Sequence, residues 1–569
     1  MSESNYWTRI SGSRVSRRTA LRGAALGLTG IAGAALIGCG DDEDTAPAGT
    51  ATGDGGGAAT PAATGDATAT AGEPKAGGSY TSYTSTFSGV DPHNSVYGGA
   101  GIVPLTYNYL VRQEVLRQDL GDNGQILDLA ESIEISGDQQ TWTFKLRPDV
   151  MIAPNSHGVE ERPLTSEDVM ASFDRIANPD NGANGFATFA LFVDDYSAPD
   201  DTTVQVVTRS PFSWLLDSLG DNLQGVIVPK EWLDQGDAVK TAAVGAGPFM
   251  LESLVEGDKA IMKRNPNYYM QGQPYLDEFR ILIMADVATR LTAFQDRQID
   301  NYTTGNGQEA ESLVKDGITH VAHSSTGYNS FWMRADAPPY DDPRVRRAIN
   351  MSMDRDQYIQ IIGRGQGQPM GPLAPVFENY ALSPEELATA QPYDPDEAAK
   401  LFQGAGVTEI QFAHPTSDTM PDYVQILQRQ LQQIGVGIQP TPLDAGTWVA
   451  GYFGGQHEAS FSFNQSYKTP HFALQWHRTG GITGNNNYDT KYYTAEVDAA
   501  IDGAAAIFDE DERREAYKEA QKVILASDPT FINVYNAGSN TVYYSDIQRT
   551  QPGPGALDVA LMREWWIDA

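Results

Sequence analysis

The segment Pro338–Ile349 reads PPYDDPRVRRAI and carries a complete helix start in twelve residues. Asp342 followed by Pro343 is typical of an N-cap and a first helical residue, because the aspartate side chain accepts a free backbone amide and proline fixes a helical φ. Val345 and Ile349 lie four residues apart and predict the buried face of that helix. The segment therefore predicts an amphipathic helix that begins at Pro343.

Strands and helices alternate on both sides of this segment. Thr141–Arg147 alternates apolar and polar residues, as a half-buried strand does. Thr165–Ala177 predicts a helix with a capping pair at its start, and Glu510–Ala526 predicts a long amphipathic helix. Asp354 begins a further helix directly after the first. The pattern predicts a mixed α/β class, and it contains no internal repeat.

Seven motifs, in this order, resemble those of extracellular solute-binding protein family 5, the peptide/nickel class of ABC importer capture subunits. The motifs lie in Ser88–His93, Ser136–Arg147, Pro163–Val169, Gly245–Phe249, Arg264–Tyr269, Pro338–Arg355 and Tyr393–Gly406. The resemblance implies an α/β, two-lobed periplasmic-binding-protein-like fold of class II (cluster C), with an extra subdomain in lobe one. Such proteins close around a ligand like a hinged clamp.

The resemblance also implies a division of the chain. The implied segments are lobe one at 79–322, its extra subdomain at about 97–192, lobe two at 323–530 and a return to lobe one at 531–569. The chain then crosses between lobes near 321–328 and again near 526–534. Two crossings make a hinge that rotates while each lobe stays rigid.

Two loops and one tryptophan are the ligand-binding residues that the resemblance implies. They are Tyr97, Gly98 and Gly99 in the first loop, Phe463, Asn464, Gln465, Ser466 and Tyr467 in the second, and Trp476 after it. In peptide-binding members an extended ligand adds between such loops as a strand, so that backbone hydrogen bonds supply affinity. The glycines of the first loop suit a close backbone approach.

Ser466 departs from the family pattern. Peptide-binding members carry an aspartate at this place, where it pairs with the α-amino group of the ligand. A neutral hydroxyl does not replace that charge. Either another carboxylate serves, with Asp444 and Glu458 as candidates, or the ligand has no free ammonium. Peptides and peptide-like solutes lead on family weight, while an oligosaccharide or a metal chelate stays open.

The first 78 residues predict export and a lipid anchor. A twin arginine, Arg17-Arg18, precedes a Gly/Ala-rich apolar run that ends in Leu36–Cys39. Residues 1–38 thus predict a Tat and lipoprotein signal peptide, and Cys39 becomes the lipidated N-terminus. Residues 39–78 are rich in Gly, Ala, Thr, Asp and Pro and predict a flexible tether. The expected place is the outer face of the cytoplasmic membrane.

Composition excludes several functions. The formal net charge of −35 disfavours binding to nucleic acid, and the single cysteine leaves no disulfide. We expect a monomer with no cofactor, no metal site and no catalytic residue, which works with ABC permease subunits. A sensory receptor is an alternative partner. A secreted lipoprotein hydrolase is the alternative from another class, although the chain has no G-x-S-x-G, H-E-x-x-H or P-loop motif.

Overall fold

The computed structural model describes residues 73–85, 89–94, 101–113, 125–183, 185–221, 224–377, 379–416, 420–444, 447–448, 450–451, 456–464, 469–479, 494–548 and 559–568. Contacts divide the chain into Met1–Glu73 and Pro74–Ala569, and every element below belongs to the second unit. The predicted signal peptide, Cys39 and nearly all of the tether lie outside the described residues. No helix within the described ranges is long and apolar enough to cross a membrane.

The strands among these residues are β1 Ser79–Thr84, β2 Val111–Gln113, β3 Gln125–Leu127, β4 Ala130–Ile135, β5 Thr141–Leu146, β6 Val193–Asp200, β7 Thr203–Thr208, β8 Phe249–Val255, β9 Lys259–Arg264, β10 Glu278–Ile283, β11 Asn301–Thr304, β12 Ile318–Met333, β13 Gln368–Pro369, β14 Glu409–Pro415, β15 Gly437–Leu443, β16 Ala459–Asn464, β17 Phe531–Tyr544, β18 Ile547–Gln548 and β19 Trp566–Ile567.

The α-helices are α1 Val103–Thr106, α2 Ser166–Ala177, α3 Phe186–Phe192, α4 Leu215–Gly220, α5 Lys230–Leu233, α6 Val287–Gln295, α7 Gly307–Leu313, α8 Pro343–Ser352, α9 Arg355–Ile361, α10 Pro384–Ala390, α11 Pro395–Ala405, α12 Met420–Gln433, α13 Pro470–Leu474, α14 Ala495–Ala505 and α15 Glu510–Ala526. Short 3₁₀ turns occupy Pro179–Asn181, Gly236–Lys240 and Val559–Glu564. The predicted mixed α/β class is confirmed.

Helices α8 and α9 form where the sequence predicts them. The Asp342 carboxylate accepts the Arg344 amide at 2.8 Å, and the Asp354 carboxylate accepts the Asp356 amide at 3.1 Å. Each side chain thereby satisfies one of the amides that a helix start leaves free. Val345 and Ile349 of α8 are fully buried, as their spacing predicts.

The described strands form five sheets, of which β2-β3 and β18-β19 are two-stranded and three are larger. One has the order β1-β10-β9-β8, with β1 parallel to β10. Another has the order β4-β5-β7-β6 and is antiparallel throughout. The largest runs β11-β17-β12-β16-β14-β15, and β13 pairs with β17.

The two longest strands of the largest sheet serve two separate hydrophobic cores. The first core gathers side chains from β1, β10, α6 and the C-terminal end, and it includes Ile318 and Val542. The second core gathers side chains from α8, α12, β14 and β16, and it includes Phe331 and Val534. Since β12 and β17 contribute to both, they cross from one core to the other. The pairing of β12 with β17 is irregular between Ser324 and Ser330, which lies at this crossing.

Candidate ligand-binding site

The second predicted ligand segment begins at the carboxyl end of β16. β14 runs parallel to β15 and β16, so the carboxyl ends of all three strands lie at one edge of the sheet. At this edge Tyr328 pairs with Asn464 on one side and with Asn536 on the other. The edge therefore borders the crossing of β12 and β17. Ligands of open sheets bind outside the carboxyl ends of the strands, so this edge is the candidate site.

The structure describes only part of the predicted ligand-binding set. Tyr97, Gly98 and Gly99 lie outside the described residues, and so do Gln465, Ser466 and Tyr467. The backbones of Phe463 and Asn464 belong to β16, where they pair with Asn329 and Tyr328. Their side chains are not described. The ligand contacts of all these residues stay predictions.

Trp476 is described and lies in an aromatic cluster. Trp332, Trp448 and Phe531 share this cluster, and the ring centroids of Trp476 and Phe531 are 5.2 Å apart. Trp476 is 8% exposed. Its ring therefore packs beside the face of the large sheet that carries Trp332. The contact of Trp476 with a ligand stays a prediction.

The first predicted loop follows a tightly held turn. Both carboxylate oxygens of Asp91 accept from Arg175, at 2.8 and 2.7 Å. His93 Nε2–H donates to the Val226 carbonyl at 2.9 Å, which leaves Nδ1 to accept from Arg175 at 2.9 Å. The Asp-Pro-His motif thus fixes the chain to α2 just before residues 95–100, where Tyr97 to Gly99 lie.

Burial and the Arg175 guanidinium together set the charge states of Asp91 and His93 in this turn. Desolvation and then the Arg175 charge lower the pKa of His93 to about 4, so the imidazole is neutral at pH 7. Burial alone raises the pKa of Asp91, but the bidentate Arg175 outweighs it and holds the pKa below its ordinary value. The turn is an ion pair with a neutral histidine beside it.

The second predicted segment is followed by an equally well-anchored stretch. Thr469 caps α13 by accepting the Phe472 amide at 3.3 Å. Arg478 donates to both carboxylate oxygens of Asp502, at 2.6 and 2.7 Å. These contacts hold residues 469–479 against α14 and bracket residues 465–468 between a strand and a helix.

Neutral amides and hydroxyls surround the crossing. Asn540 Nδ2 donates to Gln366 Oε1 at 2.9 Å, and His320 Nε2–H donates to Asn540 Oδ1 at 3.0 Å. Asn329 Nδ2 donates to the Tyr423 hydroxyl at 2.7 Å. Beside them, burial raises the pKa of Tyr328 far above its ordinary value, so the phenol stays neutral. Asn540 and Tyr423 are almost fully buried, so these bonds hold the strands of the crossing together.

The two alternative carboxylates for a ligand ammonium lie at different ends of the sheet. Asp444 follows β15 and lies at the candidate edge, where it is exposed and accepts the Thr447 amide at 3.0 Å. Glu458 precedes β16 and so lies at the opposite end of that strand, exposed. Of the two, only Asp444 has a place consistent with the predicted role.

A third region of contact was not predicted from the sequence. Phe212, Ser213 and Trp214 follow β7 and are buried against residues far along the chain. Ser213 donates to the Ala505 carbonyl, and the Trp214 ring lies 5.8 Å from the Tyr517 ring. The apolar tripeptide after Pro211 was a signal of burial, but periodicity gives no partner that lies 292 residues away.

Metal ligation and cavities add little to this site. Within the described ranges, no three His, Cys, Asp or Glu side chains are placed to hold a metal ion. A cavity of about 240 Å³ lies between residues 153–157 and β8, with Lys263 and Glu252 at its wall. It contains none of the predicted ligand-binding residues.

Comparisons with known proteins agree on one family. A sequence model of bacterial extracellular solute-binding proteins, family 5 (middle region), matches residues 125–485, more than half of the chain. The glutathione-binding protein GsiB of Pectobacterium atrosepticum is 27% identical over 426 residues, which cover 70% of this chain and 78% of GsiB.

Solved structures show the fold. DppA from Helicobacter pylori, in complex with peptide STSA, has a TM-score of 0.74 at 20% identity and covers 87% of this chain and 99% of its own. AgaA from A. tumefacien R10, in complex with agropinic acid, has a TM-score of 0.73 at 22% identity, with 86% and 99% covered. The predicted two-lobed periplasmic binding protein fold is confirmed.

Proposed function

This chain belongs to family 5 of the bacterial extracellular solute-binding proteins, and from that membership we propose that it is a lipid-anchored protein whose two lobes close around a peptide or peptide-like solute. Members of the family are transport binding proteins of ABC importers and not enzymes, and they work in the periplasm or outside the cell. The chain is therefore a solute-binding protein for peptides or related solutes, and the hydrolase alternative is excluded. Its solute, its anchor and its hinge belong to the proposal.

The crossing of β12 and β17 between two cores is the observation that carries the proposal. Two strands that join two separately packed bodies form a hinge about one axis. We place the first crossing at 324–328, within the predicted 321–328. We place the second at 536–540, later than the predicted 526–534, because Ile532 and Val534 pack in the second core while Val542 packs in the first.

The proposed ligand is a short peptide, or an analogue, whose backbone supplies the main contacts. The second proposed ligand segment follows the carboxyl end of β16, which has a parallel neighbour, and the first follows the Asp91 turn. An extended backbone can add beside such a strand end, where main-chain groups supply the hydrogen bonds. Ser466 supplies no charge for an ammonium, so either Asp444 pairs with a free amino terminus or affinity does not depend on one. The glutathione of GsiB, the peptide of DppA and the agropinic acid of AgaA set the range of solutes to test.

The binding test uses the full chain and these three solutes. Calorimetry with glutathione, the peptide Ser-Thr-Ser-Ala and agropinic acid is expected to show saturable binding of at least one, and chromatography is expected to return it unchanged. Binding of none of the three would leave the proposed ligand class wrong. Conversion of a bound solute would contradict a pure binding role.

The role of Ser466 has its own matched pair of variants. Ser466→Asp places a carboxylate where peptide-binding members have one, and we expect at least tenfold tighter binding of Ser-Thr-Ser-Ala. Ser466→Asn changes size without charge and is expected to give no such gain. N-acetylated Ser-Thr-Ser-Ala has no ammonium, so it is expected to bind the wild type and both variants with the same affinity. Equal affinity of all three proteins for the free peptide would remove Ser466 from the site.

The anchor and the export route are tested in cells. Cys39→Ser is expected to abolish incorporation of labelled palmitate and to release the protein from the membrane fraction. Replacing Arg17 and Arg18 by lysines is expected to keep the precursor inside, because the twin arginine is the Tat signal. Export that persists in the lysine variant would contradict the Tat route and leave the anchor intact.

A further inference from the structure

We call the part of the molecule that packs with the first core the first half, and the part that packs with the second core the second half. A contact between these two halves lies far along the chain from the crossing of β12 and β17. Phe212–Trp214 connects β7 to α4, and α4 packs against β2, so the tripeptide belongs with the first half of the chain. Its partners lie in α13, α14 and α15. Those helices belong with the second core, because Asp528, which follows α15, forms an ion pair with Arg347 of α8 at 2.7 Å.

Ser213 caps a helix of the opposite half. Its amide and its hydroxyl both donate to the Ala505 carbonyl, at 2.8 and 2.9 Å. Ala505 is the last residue of α14, and the final carbonyls of a helix have no partner inside it. A carbonyl at a helix end is also partly negative and accepts strongly. When the halves separate, both donors and the acceptor return to water.

Trp214 occupies an aromatic pocket beside this cap. Its ring lies 5.7 Å from that of Tyr380 and 5.8 Å from that of Tyr517, the latter edge-on at 89°. The Arg513 guanidinium lies 5.1 Å from the indole centroid. Trp214 is only 1% exposed, so separation of the halves would expose most of a large ring.

Phe212 completes the contact on the other side. It stacks on Phe192 at 4.1 Å, and the ring of His471 meets both phenylalanines edge-on at 5.2 Å. His471 follows the second proposed ligand segment directly. The contact thus touches the stretch that positions that segment.

We propose that Phe212, Ser213 and Trp214 form an interlobe latch, which docks on Ala505, Tyr517 and His471 when the lobes close and thereby sets the affinity for the solute. The latch rests on the proposed hinged closure. It uses hydrogen bonds, ring contacts and one cation–π contact, but no ion pair. Such contacts release and re-form readily, as a clamp that must also open requires.

Amide hydrogen exchange of the full, empty chain measures the latch directly. The Ser213 amide is bonded only while the latch is docked, so its exchange rate reports the docked fraction. Trp214→Ala is expected to accelerate exchange at Ser213 at least tenfold, with the amides of β1 and β16 unchanged. Trp232→Ala is the control, because Trp232 is an equally buried indole whose hydrogen bond to Tyr107 and ring contact with His157 both lie within the first half.

A milder pair of variants guards against loss of the fold. Ser213→Ala removes one of the two donors to Ala505 and is expected to accelerate exchange a few-fold. Ser218→Ala removes only the local bond to the Trp214 carbonyl, at 2.9 Å, and is expected to change nothing at Ser213. Equal effects of these two variants would overturn the latch, as would an unchanged rate in Trp214→Ala.

Distances between spin labels separate the latch from the hinge. Labels at Glu256→Cys and Gln433→Cys, with Cys39→Ser to remove the one native thiol, report on the two halves. Trp214→Ala is expected to shift the population towards the longer distance and to weaken binding of any bound test solute at least tenfold. Two distances whose populations ignore Trp214→Ala would overturn the latch alone. One fixed distance in every protein, with and without glutathione, Ser-Thr-Ser-Ala or agropinic acid, would overturn the hinged closure itself.

Discussion

The Asp91 turn and the proposed interlobe latch are stabilised by different kinds of contact. In the turn, a bidentate Arg175 pairs with a carboxylate, and every partner belongs to the first half. In the proposed latch, the Ser213 bonds to Ala505, several ring contacts and one cation–π contact from Arg513 meet across two halves. A buried ion pair is costly to break because it leaves an uncompensated charge, whereas ring and hydroxyl contacts separate at modest cost. An ion pair thus holds the chain just before the proposed ligand loop, while reversible contacts hold the proposed closed form.

Loss of Arg175 is expected to give the largest effect. Arg175→Met leaves the buried Asp91 carboxylate without its cation and removes a donor to His93, so the free energy of unfolding falls by about 3–5 kcal/mol. Urea unfolding measures it. Arg209→Met is the control, since its ion pair with Asp194, at 3.6 Å, is more than a third exposed on both sides and contributes under about 1 kcal/mol.

A second substitution refines this prediction. Asp91→Asn in the Arg175→Met background removes the stranded charge, so part of the lost stability is expected to return. A double variant as unstable as the single one would mean that packing, and not charge, holds the turn.

The pH dependence of stability tests both regions, because His93 lies in the Asp91 turn and His471 lies in the latch. Burial lowers the pKa of His93 to about 4 and that of His471 to about 3, so the unfolded chain binds protons first as the pH falls. The stability that these two neutral histidines contribute is therefore full above about pH 6.5 and falls towards pH 4, by about 3 kcal/mol per histidine. Urea unfolding from pH 7 to 4.5 measures the slope, and His93→Gln is expected to flatten it.

The two histidines are expected to differ in what acid does before unfolding. His471 meets the rings of Phe192 and Phe212 edge-on, so its protonation opposes docking of the latch as well as folding. Spin-label distances in the wild type are expected to lengthen below about pH 5, and His471→Gln is expected to remove that change. A change that persists in His471→Gln but disappears in His93→Gln would reverse the assignment.

Asp300 is a buried carboxylate, and its titration is expected to change stability with pH in the direction opposite to that of the two histidines. Burial raises the pKa of Asp300 to about 6, although the Thr81 amide, which donates to it at 2.7 Å, acts to lower the pKa. The folded state therefore holds this proton up to about pH 6, and stability falls as the pH rises from about 4 to 6, on the order of 2 kcal/mol. Asp300→Asn keeps an oxygen for the amide and is expected to abolish this loss. A slope identical to wild type would show that Asp300 ionises as an exposed carboxylate does.

Local sequence signals account for the elements but not for the contacts between halves. The predicted helix at Glu510–Ala526 has those bounds in the structure, and the strand predicted at Thr141–Arg147 spans Thr141–Leu146. Capping residues and periodicity act within a few residues, so they are legible in one sequence. The bond from Ser213 to Ala505 joins residues 292 apart, and no pattern near either residue specifies the other.

The same limit explains the outcome for the candidate site. The motifs predict that the ligand segments follow β1 and β16 in the chain, but the second crossing that we propose at 536–540 depends on which core each end of β17 meets. That choice is made by packing, because Val534 and Val542 are the same residue type on one strand. Trp476 likewise has an aromatic cluster for a neighbour that its position in the sequence does not reveal.

Loss of the helix cap at Asp342 is expected to give the smallest change in stability. It tests a contact that the local sequence alone predicts. Asp342→Ala removes the acceptor of the Arg344 amide, so the free energy of unfolding falls by about 1 kcal/mol. Asp341→Ala, at the exposed neighbouring position, removes the same charge without a capping bond and is expected to leave stability unchanged. Since α8 lies wholly in the second half, neither variant is expected to alter exchange at Ser213. Equal losses in the two variants would mean that net charge, and not the cap, is measured.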